Sequence, residues 1–320
     1  MIQTRQVIER LRKHWPNLAV TIEQIHTTGD QSQRSNVPLA RIGGDGVFVT
    51  EIERALSERR IDLAVHSLKD LPTTQPDGLR VVVMGPREDV RDILISNMPF
   101  EVTPQGLRSS NPDLERAPRI GTCSLRRMAQ IRALCPGSDI LPLRGNVDTR
   151  LRKLVAGDYD GIILAAAGVH RLHMHQQLLD RCTYFPIDLM LPAPGQGALG
   201  LEIRDEPEVR ALIAPLKSME TQAETAAERM FMRRLGAGCY LPVAAYGRIE
   251  QGLLTLRGLV ISADGQRQVR VQQELSWAPG QGIEWAEQLG VKLAEEALAL
   301  GADEIIQEVS AVRVQEPDHV

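Results

Sequence analysis

Lysine is almost missing from this chain: of 37 basic residues 5 are lysine and 32 are arginine. Aromatic residues are also scarce, at 3% of 320 positions, and the formal net charge is −4. An acidic chain with few aromatics lacks the broad basic surface that nucleic-acid binding calls for. No apolar run approaches the roughly 18–20 residues of a membrane-spanning helix; the longest stretch of interest, 161–169, is far shorter. Residues 4–12 have an amphipathic helical pattern and lack the apolar core of a secretory signal. The cysteines Cys123, Cys135, Cys182 and Cys239 form no CxxC pair and no zinc-like spacing. These absences predict reduced thiols in a cytoplasmic protein with no membrane or nucleic-acid partner.

What is present is an ordinary globular composition, 43% hydrophobic and 24% charged, over a length that suits two or three domains. The arginine excess has two explanations. One is biased genomic base composition; the other is a need for planar, bidentate forks that grip carboxylates or phosphates. Position favours the second for a subset. Seven arginines and two acids, Asp139 and Asp148, fall between Arg119 and Arg152, a local net charge of +5. A small or medium-sized polyanion in a cleft fits that cluster.

Hydrophobic periodicity predicts an N-terminal helix, a strand over 18–26, and a helix from the capping-box pattern Thr50-Glu51-Ile52-Glu53 to about residue 60. Strands are predicted over 61–65 and 79–84. A second unit begins near Asp89, with strands over 119–122, 140–143 and 160–165 and helices over 124–134 and 147–156. Such alternation predicts an α/β fold with a largely parallel sheet. Beyond the proline-rich Leu191-Pro192-Ala193-Pro194, a helix over 220–235 is followed by antiparallel strands over 243–249, 253–261 and 268–275. A helix over 284–300 completes a small α+β domain.

Gly195-Gln196-Gly197-Ala198-Leu199-Gly200 has the GxGxxG spacing of dinucleotide sites, but Pro194 precedes it and a strand pattern follows. That fingerprint needs a strand before and a helix after, so the expectation is a glycine-rich hinge and not a dehydrogenase. Gly121-Thr122-Cys123-Ser124-Leu125-Arg126-Arg127 runs from a strand through small polar residues into a helix with two arginines in its first turn. Free N–H groups at a helix start attract anions, whereas arginine alone opposes the helix dipole there. Leu143-Arg144-Gly145-Asn146-Val147-Asp148-Thr149-Arg150 and Ala165-Ala166-Ala167-Gly168-Val169-His170-Arg171 repeat the pattern. Three arginine-bearing strand ends are therefore expected on one rim of a sheet. His66-Ser67-Leu68-Lys69-Asp70 ends a buried strand. Its carboxylate beside a lysine is either an acid/base or cation-stabilising group, or a surface ion pair. His170, His173 and His175 share no helix face and have no carboxylate companions, so no metal site is expected. Cys239, on the loop after Gly236-Ala237-Gly238, is the accessible, reactive cysteine, and the other three are expected to be structural.

Further motifs join these in series: Thr28-Gly29-Asp30, Ile42-Gly43-Gly44, Val65-His66-Ser67-Leu68-Lys69-Asp70-Leu71-Pro72, and Leu191-Pro192-Ala193-Pro194-Gly195-Gln196-Gly197-Ala198. With the segments at Gly121, Leu143 and Gly236, they resemble the porphobilinogen deaminase (hydroxymethylbilane synthase) family in order and spacing over nearly the whole chain. The resemblance implies three α/β domains: 1–85 with 196–214, then 89–190, then a C-terminal cofactor-attachment domain at 218–320. The first two would be built like the type II lobes of periplasmic binding proteins. It also implies a monomeric transferase of tetrapyrrole biosynthesis. Such an enzyme condenses four porphobilinogen molecules onto an enzyme-bound dipyrromethane with loss of ammonia, then releases hydroxymethylbilane by hydrolysis.

By the same resemblance, a thioether to Cys239 would hold the dipyrromethane. Asp70 would be the catalytic carboxylate that hydrogen-bonds pyrrole N–H groups and steadies a cationic azafulvene. Arg126, Arg127, Arg144, Arg150 and Arg171 would hold cofactor and substrate carboxylates, assisted by Ser67, Lys69, Thr122 and Ser124. Residues 42–48 would form a loop over the cleft, involving Arg41, Asp45 and Phe48. Asp45 stands where the family's loop has lysine, with Arg41 as the compensating cation, and Cys123 stands for serine. The family's opening strand, with its Thr-Arg-x-Ser-x-Leu-Ala-type motif, is absent, so a true start upstream of Met1 is expected. The alternative is a non-catalytic, two-lobed anion-binding homologue. Asp70 and Cys239 discriminate, because binding alone needs neither.

Overall fold

The computed structural model describes residues 1–25, 27, 49–103, 105–109, 116–174, 176–236 and 241–315. In chain order the elements begin with α1 (Ile2–His14), α2 (Thr50–Ser57), β1 (Leu63–Ser67), β2 (Leu79–Met84), β3 (Asp92–Ser96), β4 (Phe100–Thr103), β5 (Gly106–Ser109) and β6 (Arg119–Gly121). They continue with α3 (Leu125–Leu134), β7 (Asp139–Leu141), α4 (Val147–Val155), β8 (Gly161–Ala165), α5 (Ala166–Arg171), β9 (Cys182–Tyr184), β10 (Leu199–Arg204) and α6 (Pro207–Ile213). Last come α7 (Met219–Arg234), β11 (Val243–Glu250), β12 (Leu253–Ile261), β13 (Gln268–Ser276), α8 (Ile283–Ala299) and α9 (Ala302–Gln315). The chain gathers into two compact units, Met1–Glu88 with Gly197–Ala223, and Asp89–Gln196 with Glu224–Val320. No helix among the described residues is long and apolar enough to cross a membrane.

In the first unit the strand order is β1-β10-β2, and both pairings are antiparallel. This corrects the expectation of a largely parallel sheet for that unit. β1 and β2 do run parallel to each other, but β10 returns from beyond the proline-rich segment and is threaded between them in the opposite sense. One face buries Val7 and Leu11 of α1 with Met84, Leu201, Ile203 and Ile213. The other packs Val49, Leu68, Leu71, Val83 and Ala198. Residues 18–25 form no strand, because alternation without a neighbouring strand leaves backbone N–H and C=O groups nothing to pair with. α2 stops at Ser57, short of residue 60: Arg59 turns left-handed at φ 60°. The Leu56 carbonyl accepts from the Arg59 N–H at 3.1 Å, and the carbonyls of Leu56 and Ile61 also accept from Arg204 Nη1 at 3.0 and 2.6 Å.

The second unit has a five-stranded sheet in the order β7-β6-β8-β3-β9. β7, β6 and β8 are parallel, while β3 runs antiparallel to both its neighbours. Strand alternation divides its core: Ile93, Ile95, Ile162 and Leu164 lie on one side, Leu94, Phe100, Ile120 and Ile163 on the other. β3, the β4–β5 hairpin, β9 and α9 were not among the predicted elements. The C-terminal sheet β11-β12-β13 is antiparallel, as its pattern predicts. Ala129 of α3 and Leu191 pack with Ala244, Leu259 and Ile261, which is why this sheet groups with the second unit.

Gly290 of α8 lies against α7. A methyl there would run into the Ala227 carbonyl oxygen and come within 3.0 Å of Met230 Cβ. Gly290→Ala is therefore expected to cost about 1–3 kcal/mol through overpacking, read as a lowered denaturation midpoint. An unchanged midpoint would show that the two helices can separate without loss.

Candidate functional site

Parallel β7, β6 and β8 end on one edge of the sheet, and the three arginine-bearing motifs leave from those ends. Thr122, Cys123 and Ser124 follow β6, Arg144 follows β7, and Arg171 closes the helix after β8. The carboxyl edge of an open α/β sheet is where ligands commonly bind. Thr122 is buried, its N–H donates to Leu141 at 3.0 Å, and its hydroxyl accepts from the Ser124 N–H at 3.2 Å. Ser124 is the N-cap of α3, but its hydroxyl makes no cap hydrogen bond and the first turn holds no acid. Asn146 caps α4 by accepting from the Thr149 N–H at 2.9 Å, and Arg150 Nε donates to Gly145 at 2.6 Å. Gly145 takes φ 110°, which favours glycine, and a methyl there would press on Thr149.

Arg126 and Arg127 are placed differently from the others. Both are buried and converge on Asp92, the first residue of β3, which is wholly buried. Arg126 Nη1 donates to Asp92 Oδ2 at 2.7 Å and to the Leu191 carbonyl at 2.8 Å. Arg127 donates from Nε and Nη2 to Asp92 Oδ1 at 3.0 and 2.7 Å, and from Nη1 to Ile163 at 3.1 Å. Gln196 Nε2 reaches the same oxygen at 3.0 Å. Burial alone would raise the Asp92 pKa, but the charges of Arg126 and Arg127 and the hydrogen bonds from Arg126 and Gln196 hold it far below the carboxylate range. Arg126 Nε is buried with no partner among the described residues. Asp92 and Gln196 were not singled out from sequence. The available signal was an acid heading the otherwise apolar Ile93-Leu94-Ile95, since a carboxylate buried in such a run requires a cation.

A second buried aspartate, Asp160, directly precedes β8. Hydrogen bonds from Arg116, resisted by burial and joined by the Arg119 N–H, keep the Asp160 pKa far below normal. Both Asp92 and Asp160 are lowered on folding. Their stabilisation is therefore complete above the unfolded aspartate pKa of about 3.9 and is lost as pH falls below it. The urea midpoint is expected to drop steadily from about pH 4 toward pH 2. A midpoint flat across that window would refute the assignment.

In the first unit, β1 runs into a 3-10 turn, Leu68–Asp70. Leu68 and Leu71 are buried on either side of Lys69 and Asp70, and the Leu68 N–H donates to Ala198 at 3.0 Å. The turn is thus anchored by its apolar flanks, while the Asp70 side chain is exposed at its end. Ser67 Oγ accepts from Gln3 Nε2 at 3.0 Å. The glycine-rich 195–200 segment leads into a strand and not a helix, with Gly195 and Gly197 at φ 76° and 87°. The strand that follows agrees with the expectation that this is not a dinucleotide-binding turn.

His170 Nε2 lies 2.8 Å from the Tyr184 hydroxyl, and Arg91, paired with Asp89, sits 4.4 Å above the Tyr184 ring. Among the described residues no group of three or more His, Cys, Asp and Glu is arranged to hold a metal. Burial pushes the Cys135 and Cys182 thiols up, as suits structural cysteines. Cys123 is exposed, against the expectation for it, because it projects from the turn between Thr122 and Ser124. Arg41, Asp45, Phe48 and Cys239 lie outside the described residues.

A family model described as "Porphobilinogen deaminase, dipyromethane cofactor binding domain" matches residues 1–211, and one described as "Porphobilinogen deaminase, C-terminal domain" matches 222–299. The porphobilinogen deaminase of Syntrophotalea carbinolica is 45% identical over 305 residues, covering 95% of this chain and 90% of that relative. That of Syntrophus aciditrophicus is 43% identical over 299 residues, covering 93% and 91%. Among solved structures, a probable amino-acid ABC transporter extracellular-binding protein from Bacillus subtilis aligns with TM-score 0.38 and 9% identity. It covers 67% of this chain and 79% of its own, a likeness too slight to carry weight.

Proposed function

The chain belongs to the porphobilinogen deaminase family, and from that premise we propose how its own residues share the work. It is a transferase that condenses porphobilinogen with loss of ammonia, and its cofactor is dipyrromethane. The observation that carries this is the match to both family domains along almost the whole chain. When bound, the dipyrromethane supplies a free pyrrole carbon from which the product chain is built. The described residues fit such a group in their chemistry: Thr122, Ser124 and Arg144 follow the ends of parallel β6 and β7, and Arg126 Nε is a buried donor with no partner among the described residues.

Thr122, Ser124, Arg126, Arg127, Arg144, Arg150 and Arg171 hold acetate and propionate groups, with Asp92 presetting Arg126 and Arg127. Ser67 and Lys69 assist from the β1 end. Asp70 accepts hydrogen bonds from pyrrole N–H groups and steadies the positive charge that spreads over a porphobilinogen ring as ammonia leaves. A carboxylate is required there because guanidiniums cannot stabilise a cation. Cys239 carries the cofactor thioether, and Arg41 offsets Asp45 in the 42–48 loop near Phe48. The protein works as a cytoplasmic monomer of three domains, 1–85 with 196–214, 89–190 and 218–320. The separate C-terminal family match supports the last boundary.

Purified protein incubated with porphobilinogen is expected to release ammonia and form hydroxymethylbilane; substrate left unconsumed would refute the assignment. Its intact mass under reducing conditions is expected to exceed the sequence mass by two condensed pyrrole units, and Cys239→Ala is expected to lose the increment. An increment surviving that substitution would move the attachment to another residue.

A further inference from the structure

Gln130 lies in α3, one turn after Arg126, and the proposed reaction does not use it. It is 1% exposed. Its Oε1 accepts from the Leu191 N–H at 2.8 Å, and its Nε2 donates to the carbonyls of Leu191 and Arg126 at 3.0 and 3.4 Å. The Leu191 N–H can only donate, and that fixes which end of the amide is the oxygen. Leu191 is buried between β9 and β10, where no strand neighbour pairs its backbone, and a buried N–H and C=O must both find partners. One glutamine side chain supplies both.

The Leu191 carbonyl is shared: it accepts from Gln130 Nε2 and also from Arg126 Nη1, the latter at 2.8 Å. Arg126 Nη1 donates to Asp92 Oδ2 at 2.7 Å as well, so two acceptors hold that one nitrogen. The chain from Leu191 to Gln196 is tied down along its length. The Pro192 carbonyl accepts from the Ala245 N–H at 3.2 Å, the Gly195 N–H donates to Glu228 Oε2 at 2.6 Å, and Gln196 Nε2 reaches Asp92 Oδ1 at 3.0 Å. What remains of the Arg126 guanidinium is Nε, buried with no partner, and Nη2, which makes no hydrogen bond among the described residues. Those two groups point the same way from a planar guanidinium and form an edge that takes a carboxylate with two hydrogen bonds.

We propose that Gln130 is a positioning residue: by clamping the Leu191 backbone it anchors Arg126 at Nη1 and leaves the Nε–Nη2 edge set for a pyrrole carboxylate. This rests on Arg126 holding acetate or propionate groups. The test combines steady-state kinetics with porphobilinogen and the fraction of purified protein that carries the two-pyrrole mass increment. Gln130→Met fills the same space without polar atoms. It is expected to raise KM about fivefold with kcat within twofold, or to halve the cofactor-bearing fraction, the scale of one hydrogen bond. The first result places the held carboxylate on the substrate, and the second places it on the cofactor. Arg126→Lys keeps a charge for Asp92 but has no Nε–Nη2 edge, and it is expected to move the same readout. The double variant is expected to move it no further than Arg126→Lys alone, because Gln130 acts through Arg126. Gly290→Ala, destabilised by overpacking elsewhere, is expected to leave both readouts unchanged.

Wild-type values of both readouts in Gln130→Met, with Arg126→Lys impaired, overturn the Gln130 role and leave that of Arg126 intact. Wild-type values in Arg126→Lys overturn the reading of Arg126 itself. Additive losses in the double variant, or equal losses in Gly290→Ala, mean general disruption and overturn the Gln130 role. Should Gln130→Met fail to fold, Gln130→Glu decides, since it keeps an acceptor for the Leu191 N–H but loses the donor to the carbonyl. Unchanged readouts there overturn the proposal.

Discussion

Asp70→Ala is expected to lower kcat for porphobilinogen consumption about a thousandfold, the upper end of what removing one preorganised charge-stabilising group costs. The side chain is exposed and the turn is held by Leu68 and Leu71, so the fold should scarcely notice. Substitutions at such surface positions stay within about 0.5 kcal/mol. The intact mass should still show the two-pyrrole increment, because attachment is assigned to Cys239. Asp70→Asn separates two contributions, keeping a hydrogen-bond acceptor while removing the charge, and should stay close to the alanine variant. A kcat within tenfold of wild type for Asp70→Ala would remove Asp70 from the chemistry.

Asp92→Asn should have the largest effect on stability. The carboxylate takes hydrogen bonds from Arg126, Arg127 and Gln196 with no exposed surface. Its loss leaves two buried guanidiniums uncompensated, and breaking a buried pair from one side costs about 3–5 kcal/mol. Two readouts check it. The urea midpoint at neutral pH should fall, and the acid-induced loss below about pH 4 should become shallower because one lowered carboxyl is gone. Porphobilinogen affinity should weaken as well, since Arg126 and Arg127 lose the anchor that orients them. A variant as stable as wild type would mean that the arginines find other partners on their own.

Much of the candidate site is written in short local motifs along the chain. The turn after β1, the strand-to-helix passages after β6 and β7, and α5 each combine a strand signal, small residues and an arginine or aspartate within eight positions. Such units depend on neighbours in sequence. What escaped notice was long-range: Asp92 meets Arg126 across 34 residues, and Gln196 meets Asp92 across 104. β3 and β9 were missed for the same reason. β3 is an apolar strand buried on both faces and lacks the alternation that marks a half-exposed one.

By itself, then, the sequence determined the family, through the resemblance of its motifs in series, and the α/β class, the arginine-bearing strand ends and the C-terminal α+β pattern, through local periodicity and spacing. Only the tertiary structure decided that β10 enters between β1 and β2 in the opposite sense and that Arg126 and Arg127 turn inward to Asp92. Each of those outcomes depends on segments far apart in the chain meeting in a buried environment. There an unpaired charge is costly enough to select its partner, and no local pattern states which partner that will be.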